Sequence, residues 1–246
     1  MRNRYLALSW ITLALLTGGA VFAQTAEEII TKHIAARGGA ENWAKVQSMK
    51  ITGTYSSFST PHPFTLWRKR PDLYRFDHNL AKWPVTVAYD GRKCWQINPL
   101  YGTEDATSIP DADSLVVLRD KDFESILFSY AAQGQPIEYL GEGEVEGQPC
   151  HRLKVTLPDS TEETWYLDRE TYLEVKVEGR TYDFGRQVSL EAYFDDFREV
   201  EGVLIPFYQE RQFETRYRVY TVDAVEINLP VDDTLFVMPD KSAEDK

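Results

Sequence analysis

Side chains able to do chemistry are thinly spread along this 246-residue chain. Its four histidines, His33, His62, His78 and His151, show no H-x-x-x-H or H-E-x-x-H spacing, so they form no zinc motif. His33 reads as a plain helix-face residue. There is no G-x-S-x-G elbow and no P-loop. The run Gly141-Glu142-Gly143-Glu144-Val145-Glu146-Gly147 is glycine-rich, but its three carboxylates would repel a phosphate. It reads as a turn between strands. Asp195-Asp196 and Asp232-Asp233 could act as acid pairs or hold a cation, yet neighbours on a strand point to opposite faces. Solvated turns are the simpler reading. Cys94 and Cys150 are the two cysteines; an oxidising compartment would allow a disulfide, while Cys94 could equally face the core as a small apolar residue. Together these patterns identify no enzyme.

The elements that would position such residues are mostly strands. Leu66-Trp67-Arg68-Lys69-Arg70-Pro71-Asp72-Leu73-Tyr74 is extended structure broken at Pro71, which cannot donate to a ladder. Tyr89-Asp90-Gly91-Arg92-Lys93-Cys94-Trp95-Gln96-Ile97-Asn98-Pro99 centres on Asp-Gly between apolar runs, a hairpin signal, and ends at Asn-Pro. Ahead of them, Met49, Ile51, Gly53 and Tyr55 alternate with polar residues, as in a half-buried strand. After Gly134 the chain is a succession of alternating segments: around Leu153–Leu157, Thr164–Leu167, Tyr172–Val177, Val188–Phe194, Val203–Gln212 and Arg216–Ile227. Two regions break the pattern. Thr25-Ala26-Glu27-Glu28 is a capping box opening a helix that Gly38-Gly39 ends, followed by a short helical piece over Glu41–Val46. Between Asp111 and Gly134, Leu115, Val116, Leu118, Phe123, Ile126, Leu127 and Tyr130 recur at helical spacing, as one or two helices.

The first 23 residues read as a cleaved signal peptide: Arg2 and Arg4, an apolar run from Leu6 to Leu16, then Val21-Phe22-Ala23 before Gln24. The run is too short to span a bilayer, which takes roughly 20 apolar residues. Residues 24–246 then carry 25 basic against 39 acidic side chains. Such an acidic surface argues against nucleic acid and against adhesion to anionic lipid. No linker or repeat divides residues 24–246, so they read as one domain.

About eleven strands must curl or split in two, and their apolar inner face needs cover. Helices at 25–46 and 111–134 suffice to lid one opening, not to fill a large barrel. That leaves either an apolar cavity under a lid or a fully packed sandwich without one.

The paired segments L-W-x-K-R-P-x-L, at Leu66 to Leu73, and D-G-x-x-x-W-x-x-N-P, at Asp90 to Pro99, resemble the LolA-like periplasmic carriers of outer-membrane lipoproteins. The resemblance implies a mainly β fold with few helices, a half-open antiparallel β-barrel of about eleven strands with a helical lid and a cavity for acyl chains. It places Arg70 at the position whose guanidinium bonds toward the lid and serves cargo transfer. An arginine there offers five donors in a rigid fork and stays charged, so lid carbonyls or a ligand's polar end would both satisfy it. The plainer alternative is an exposed arginine in a basic strip with Arg68 and Lys69. Trp67, Trp95, Trp165 and Phe194 are the candidates to line the cavity beside Arg70. The expected protein is a non-enzymatic periplasmic monomer without cofactor or metal. It would carry lipoprotein or other lipid cargo from an inner-membrane donor to an outer-membrane acceptor. The alternative is a sensing module of the same fold that regulates a membrane partner.

Overall fold

A computed structural model describes residues 24–240, apart from 58–59, 134–135, 158–159, 184–185 and 215. The expected signal peptide lies outside the described residues, as do Gly134 and Gln135 of the expected helix stop. The chain opens with helices α1 (Ala26–Ala36) and α2 (Ala40–Lys45). Thr25 caps α1 as its sequence demands: its hydroxyl accepts from Glu28 N–H at 3.2 Å, and the Glu28 carboxylate accepts from Thr25 N–H at 3.0 Å.

Six strands follow: β1 (Ser48–Ser57), β2 (Thr60–Lys69), β3 (Leu73–Leu80), β4 (Trp83–Tyr89), β5 (Cys94–Ile97) and β6 (Thr107–Ser108). Helices α3 (Asp111–Asp120) and α4 (Ile126–Gln133) come next. The second run is β7 (Ile137–Val145), β8 (Gln148–Thr156), β9 (Glu162–Asp168), β10 (Glu174–Asp183), β11 (Arg186–Val200), β12 (Val203–Phe213) and β13 (Tyr217–Ile227). All thirteen form one antiparallel sheet in the order β6-β5-β4-β3-β2-β1-β13-β12-β11-β10-β9-β8-β7. Its edges, β6 and β7, adjoin in sequence but lie at opposite ends of the strand order. The chain therefore passes from one open edge to the other through α3 and α4.

The count is thirteen rather than eleven because two strands leave little apolar signal. β6 is two residues long. β7 is an edge strand that contains Gly141 to Val145, and the turn is confined to Glu146-Gly147, both at positive φ. Asp195-Asp196 likewise lies within β11 rather than in a turn. The pairing with β12 keeps one register on both sides of it, from Asp195 opposite Tyr208 to Phe197 opposite Pro206, with Asp196 itself at φ 52°. Asp232 caps a final 3₁₀ turn, Asp233–Phe236, by accepting from Thr234 N–H at 2.9 Å.

The concave face curls where β1 has no side chain. A Cβ at Gly53 would stand 2.1 Å from the Thr221 carbonyl, beside the register shift between β1 and β13. Three apolar clusters hold the helices against the sheet. Trp43 of α2 and Phe123 join Met49, Ile51, Phe64 and Ile205. Ile29 and Ile30 of α1 meet Leu127 of α4 over Leu153, Leu167 and Val177. Val117 of α3 packs with Tyr74 and Cys94. Cys94 and Cys150 are both buried free thiols, and their strands stand second from opposite ends of the sheet order, so no disulfide joins them.

Candidate functional site

Under α3 and α4 lies a cavity of about 480 Å³, walled by side chains of the concave face. Strand alternation decides who reaches it. From β2, Phe64, Leu66 and Arg68 face inward. From β3 come Tyr74, Phe76 and His78, from β11 Leu190, Ala192 and Phe194, and from β13 Arg218, Tyr220 and Val222. Aromatic rings make one wall: Tyr55 stacks on His78 at 4.8 Å, and Phe76 meets Phe64 at 5.5 Å. A further depression of about 510 Å³ is lined by Glu146, Asp168, Asp195 and Glu210 among others and is polar, unsuited to an apolar ligand.

Of the residues singled out in the sequence, Trp165 and Phe194 lie on the cavity wall. Trp67 and Trp95 do not. Trp67 sits one residue out of phase with Leu66 and Arg68, so it faces outward, its ring 5.3 Å from Lys50 Nζ. Trp95 is out of phase with inward-facing Gln96. It is buried beneath the C-terminal segment, donating from Nε1 to the Phe236 carbonyl at 2.8 Å. Both are core or surface residues of the convex side.

Arg70 ties the sheet to the helices. Its Nε donates to the Val46 carbonyl at 2.8 Å and its Nη2 to the Trp43 carbonyl at 3.2 Å, both at the C-terminal end of α2. The same Nη2 pairs with the Glu124 carboxylate between α3 and α4, and the guanidinium lies 4.8 Å from the Phe123 ring centre. These bonds link two separate helical segments through one planar fork, a geometry a lysine ammonium could not reproduce. The strip Arg68-Lys69-Arg70 thus splits three ways. Lys69 turns to Asp233, while Arg68 enters the cavity.

Four residues near the α3–α4 junction are fastened to four places. Arg119 pairs with Glu163 of β9, which also accepts from Trp165 Nε1 at 2.9 Å. Asp120 takes both Nη atoms of Arg211 on its carboxylate at 2.9 Å each. Its main-chain carbonyl accepts from Arg68 Nε and Nη2 at 3.1 and 2.7 Å. Lys121 reaches Asp72 at 2.6 Å, and Glu124 holds Arg70. Burial pushes the Asp120 carboxyl upward, but Arg211, Arg68 and Arg119 outweigh it and keep the group below its usual range. Sequence reading missed Arg68 and Arg211 as cavity residues. Arg68 was findable, because it shares the phase of Phe64 and Leu66.

A second buried set lies at the foot of α1. Arg37 pairs with Glu174, its Nε donates to the Leu204 carbonyl at 2.8 Å, and His33 Nδ1 stands 2.9 Å from the Tyr172 carbonyl. Burial pushes the Glu174 carboxyl upward, yet the Arg37 guanidinium above all brings it below its usual value. Burial lowers the His33 pKa, so the imidazole is disposed to be neutral. The set docks α1 on the sheet, with His33 Nε2 and Glu174 Oε2 buried without a hydrogen-bond partner among the described residues. Among the described residues, no cluster of three or more His, Cys, Asp or Glu is arranged to hold a metal ion. Among the same residues, no helix is long and apolar enough to cross a membrane.

An open antiparallel sheet with helices over its concave face is the architecture of LolA-like proteins, and that is the fold of this chain. A LolA superfamily protein from Nitrosomonas europaea superposes with TM-score 0.55 at 11% identity, over 87% of this chain and 98% of its own. A domain named for outer-membrane lipoprotein sorting, from Vibrio parahaemolyticus, gives TM-score 0.54 at 13% identity over 85% and 95%. A DUF1329 family protein from Desulfovibrio piger gives TM-score 0.61 at 12% identity over 87% and 98%. No family model and no curated protein matches the chain.

Proposed function

We propose that this protein is a periplasmic carrier that shelters acyl chains of lipoproteins or other lipids in the lidded cavity and releases them toward the outer membrane. The observation that carries the proposal is the cavity itself. It falls within the ~300–1,000 Å³ typical of ligand sites, and its strand walls are mostly apolar. Each methylene buried there contributes roughly 0.8 kcal/mol, so ten give about 8 kcal/mol before ordering costs. Such binding needs no catalytic group, and the carrier is not an enzyme. Trp165 and Phe194 contact the chain, and Arg70 governs access by holding the helices shut. In this reading residues 1–23 direct export and are removed, residues 24–246 act as one monomeric domain, and an inner-membrane donor and an outer-membrane acceptor load and unload it. The test is titration of delipidated protein with a fluorescent fatty acid. Saturable uptake near one chain per protein supports the proposal, and no uptake at micromolar probe contradicts it.

A further inference from the structure

The acidic chain has a positively charged cavity wall. Four arginines, Arg68, Arg211, Arg216 and Arg218, reach the cavity from β2, β12, and β13 with the residue just before it. Among the described residues, the strand carboxylate lining the same cavity is Glu174, which Arg37 already engages. Among the described residues, the lid lines the same cavity with Asp113, Asp120, Asp122 and Glu124, and with Arg119. Wall and lid are thus of opposite sign, and the contact between them centres on Asp120.

Asp120 serves two guanidiniums with one carboxylate. Arg211 takes the carboxylate in a two-point fork, the geometry that suits a carboxylate or phosphate group. Arg68 is left with the main-chain carbonyl, and among the described residues no carboxylate lies within ion-pair distance of it. Asp120 is the last residue of α3. Any movement of that helix away from the wall withdraws the carboxylate and leaves two arginines facing an apolar cavity, a costly arrangement unless another anion replaces it.

Resting on the carrier reading, we infer that the cargo is an amphiphile with an anionic head, carboxylate or phosphate, which displaces Asp120 from Arg211 and Arg68 while its chain fills the apolar cavity. Asp120 is then a built-in occupant of the head-group site. Binding of cargo and release of α3 from the wall become one event. A neutral lipid would have to open the lid without supplying the missing charge.

The experiment compares a fluorescent fatty acid with its methyl ester at pH 8 on delipidated wild-type protein, with inorganic phosphate as a third probe. The acid is expected to bind on the order of tenfold to a hundredfold tighter than the ester, the range of a charge-assisted bond in a buried site. It alone should raise amide exchange over residues 113–122. Asp120→Asn should tighten both probes by freeing the lid from the wall, with the acid still the tighter, and Arg211→Gln should bring the two probes together. Equal binding of acid and ester to the wild type overturns the inference while leaving the carrier reading intact, and needs no variant to fold. Displacement of the acid by millimolar phosphate alone also overturns it, since the site would then be for a free anion. Failure of both lipid probes removes the carrier reading itself.

Discussion

Replacing Arg70 by leucine should loosen the helices without unfolding the sheet. The guanidinium makes two bonds to main-chain carbonyls, at 2.8 and 3.2 Å, and one ion pair with Glu124. Leucine keeps some apolar contact with Phe123 but leaves the Val46 and Trp43 carbonyls and the Glu124 carboxylate without this donor. The side chains of Arg70 and Glu124 are 29% and 22% exposed, so water offsets part of the loss and the ion pair itself deserves only about 1 kcal/mol. Two carbonyl bonds, each counted at the ~0.5–1.5 kcal/mol of an ordinary bond because water partly replaces them, bring the total to about 2–4 kcal/mol. If that energy holds the helices locally, amide exchange over residues 40–46 and 120–128 should rise by about 30- to 700-fold. Amides of β8 and β9, which Arg70 does not touch, should change far less. Hydrogen-exchange mass spectrometry of both variants reads this directly. Arg70→Lys should fall between wild type and leucine, because one ammonium cannot span all three acceptors. Unchanged exchange in the helical segments, or an equal rise throughout the molecule, would refute the clasp.

Three further outcomes follow from the same geometry. Glu174→Ala should cost about 3–5 kcal/mol in urea unfolding by stranding buried Arg37, whereas Arg37→Met with Glu174→Leu should recover most of that loss. His78 is held down to about 4 by burial first and by Arg218 second, so the folded state favours its neutral form. Its contribution, up to about 3 kcal/mol, is present above its unfolded value of 6.5 and is lost as pH falls through about 4. His33 and His151 are lowered as well, so His78→Phe should remove only part of the acid-side slope of stability between those values. Val222→Trp, placed on the cavity wall, should abolish uptake of a fluorescent fatty acid while unfolding remains cooperative; undiminished uptake would place the chain elsewhere.

Strands with clean alternation were legible in the sequence, because burial on one face imposes a period of two. β1 shows this well, and the Thr25 capping box likewise announced α1. β7 was not legible, since an edge strand with glutamates at alternate positions satisfies no apolar pattern. The place of Asp195-Asp196 inside β11 was hidden for a related reason: two adjacent carboxylates read locally as a turn, and it is the pairing with β12 that keeps them in a strand. At the site, Arg70 stood out through its neighbours Lys69 and Pro71; it bonds to the helices and is not among the residues that line the cavity. The phase of a strand separates Trp67 from Leu66 and Arg68, and reading that phase strictly would have exchanged Trp67 for Arg68. Arg211 and Asp120 could not be paired from sequence, because 91 residues separate them and the curl of the sheet brings them together. The same holds for Trp95, whose partner is the carbonyl of Phe236 near the other end of the chain.

A carrier of this kind holds an acyl chain in its cavity in the cell. Native mass spectrometry of protein purified from periplasm, followed by extraction and identification of any bound lipid, tests it most directly. The expected result is a mass increment lost on extraction and recovered as one acylated species, with an anionic head where Asp120 occupies the head-group site. A clean unliganded mass, in protein that also takes up no fluorescent fatty acid, would contradict it.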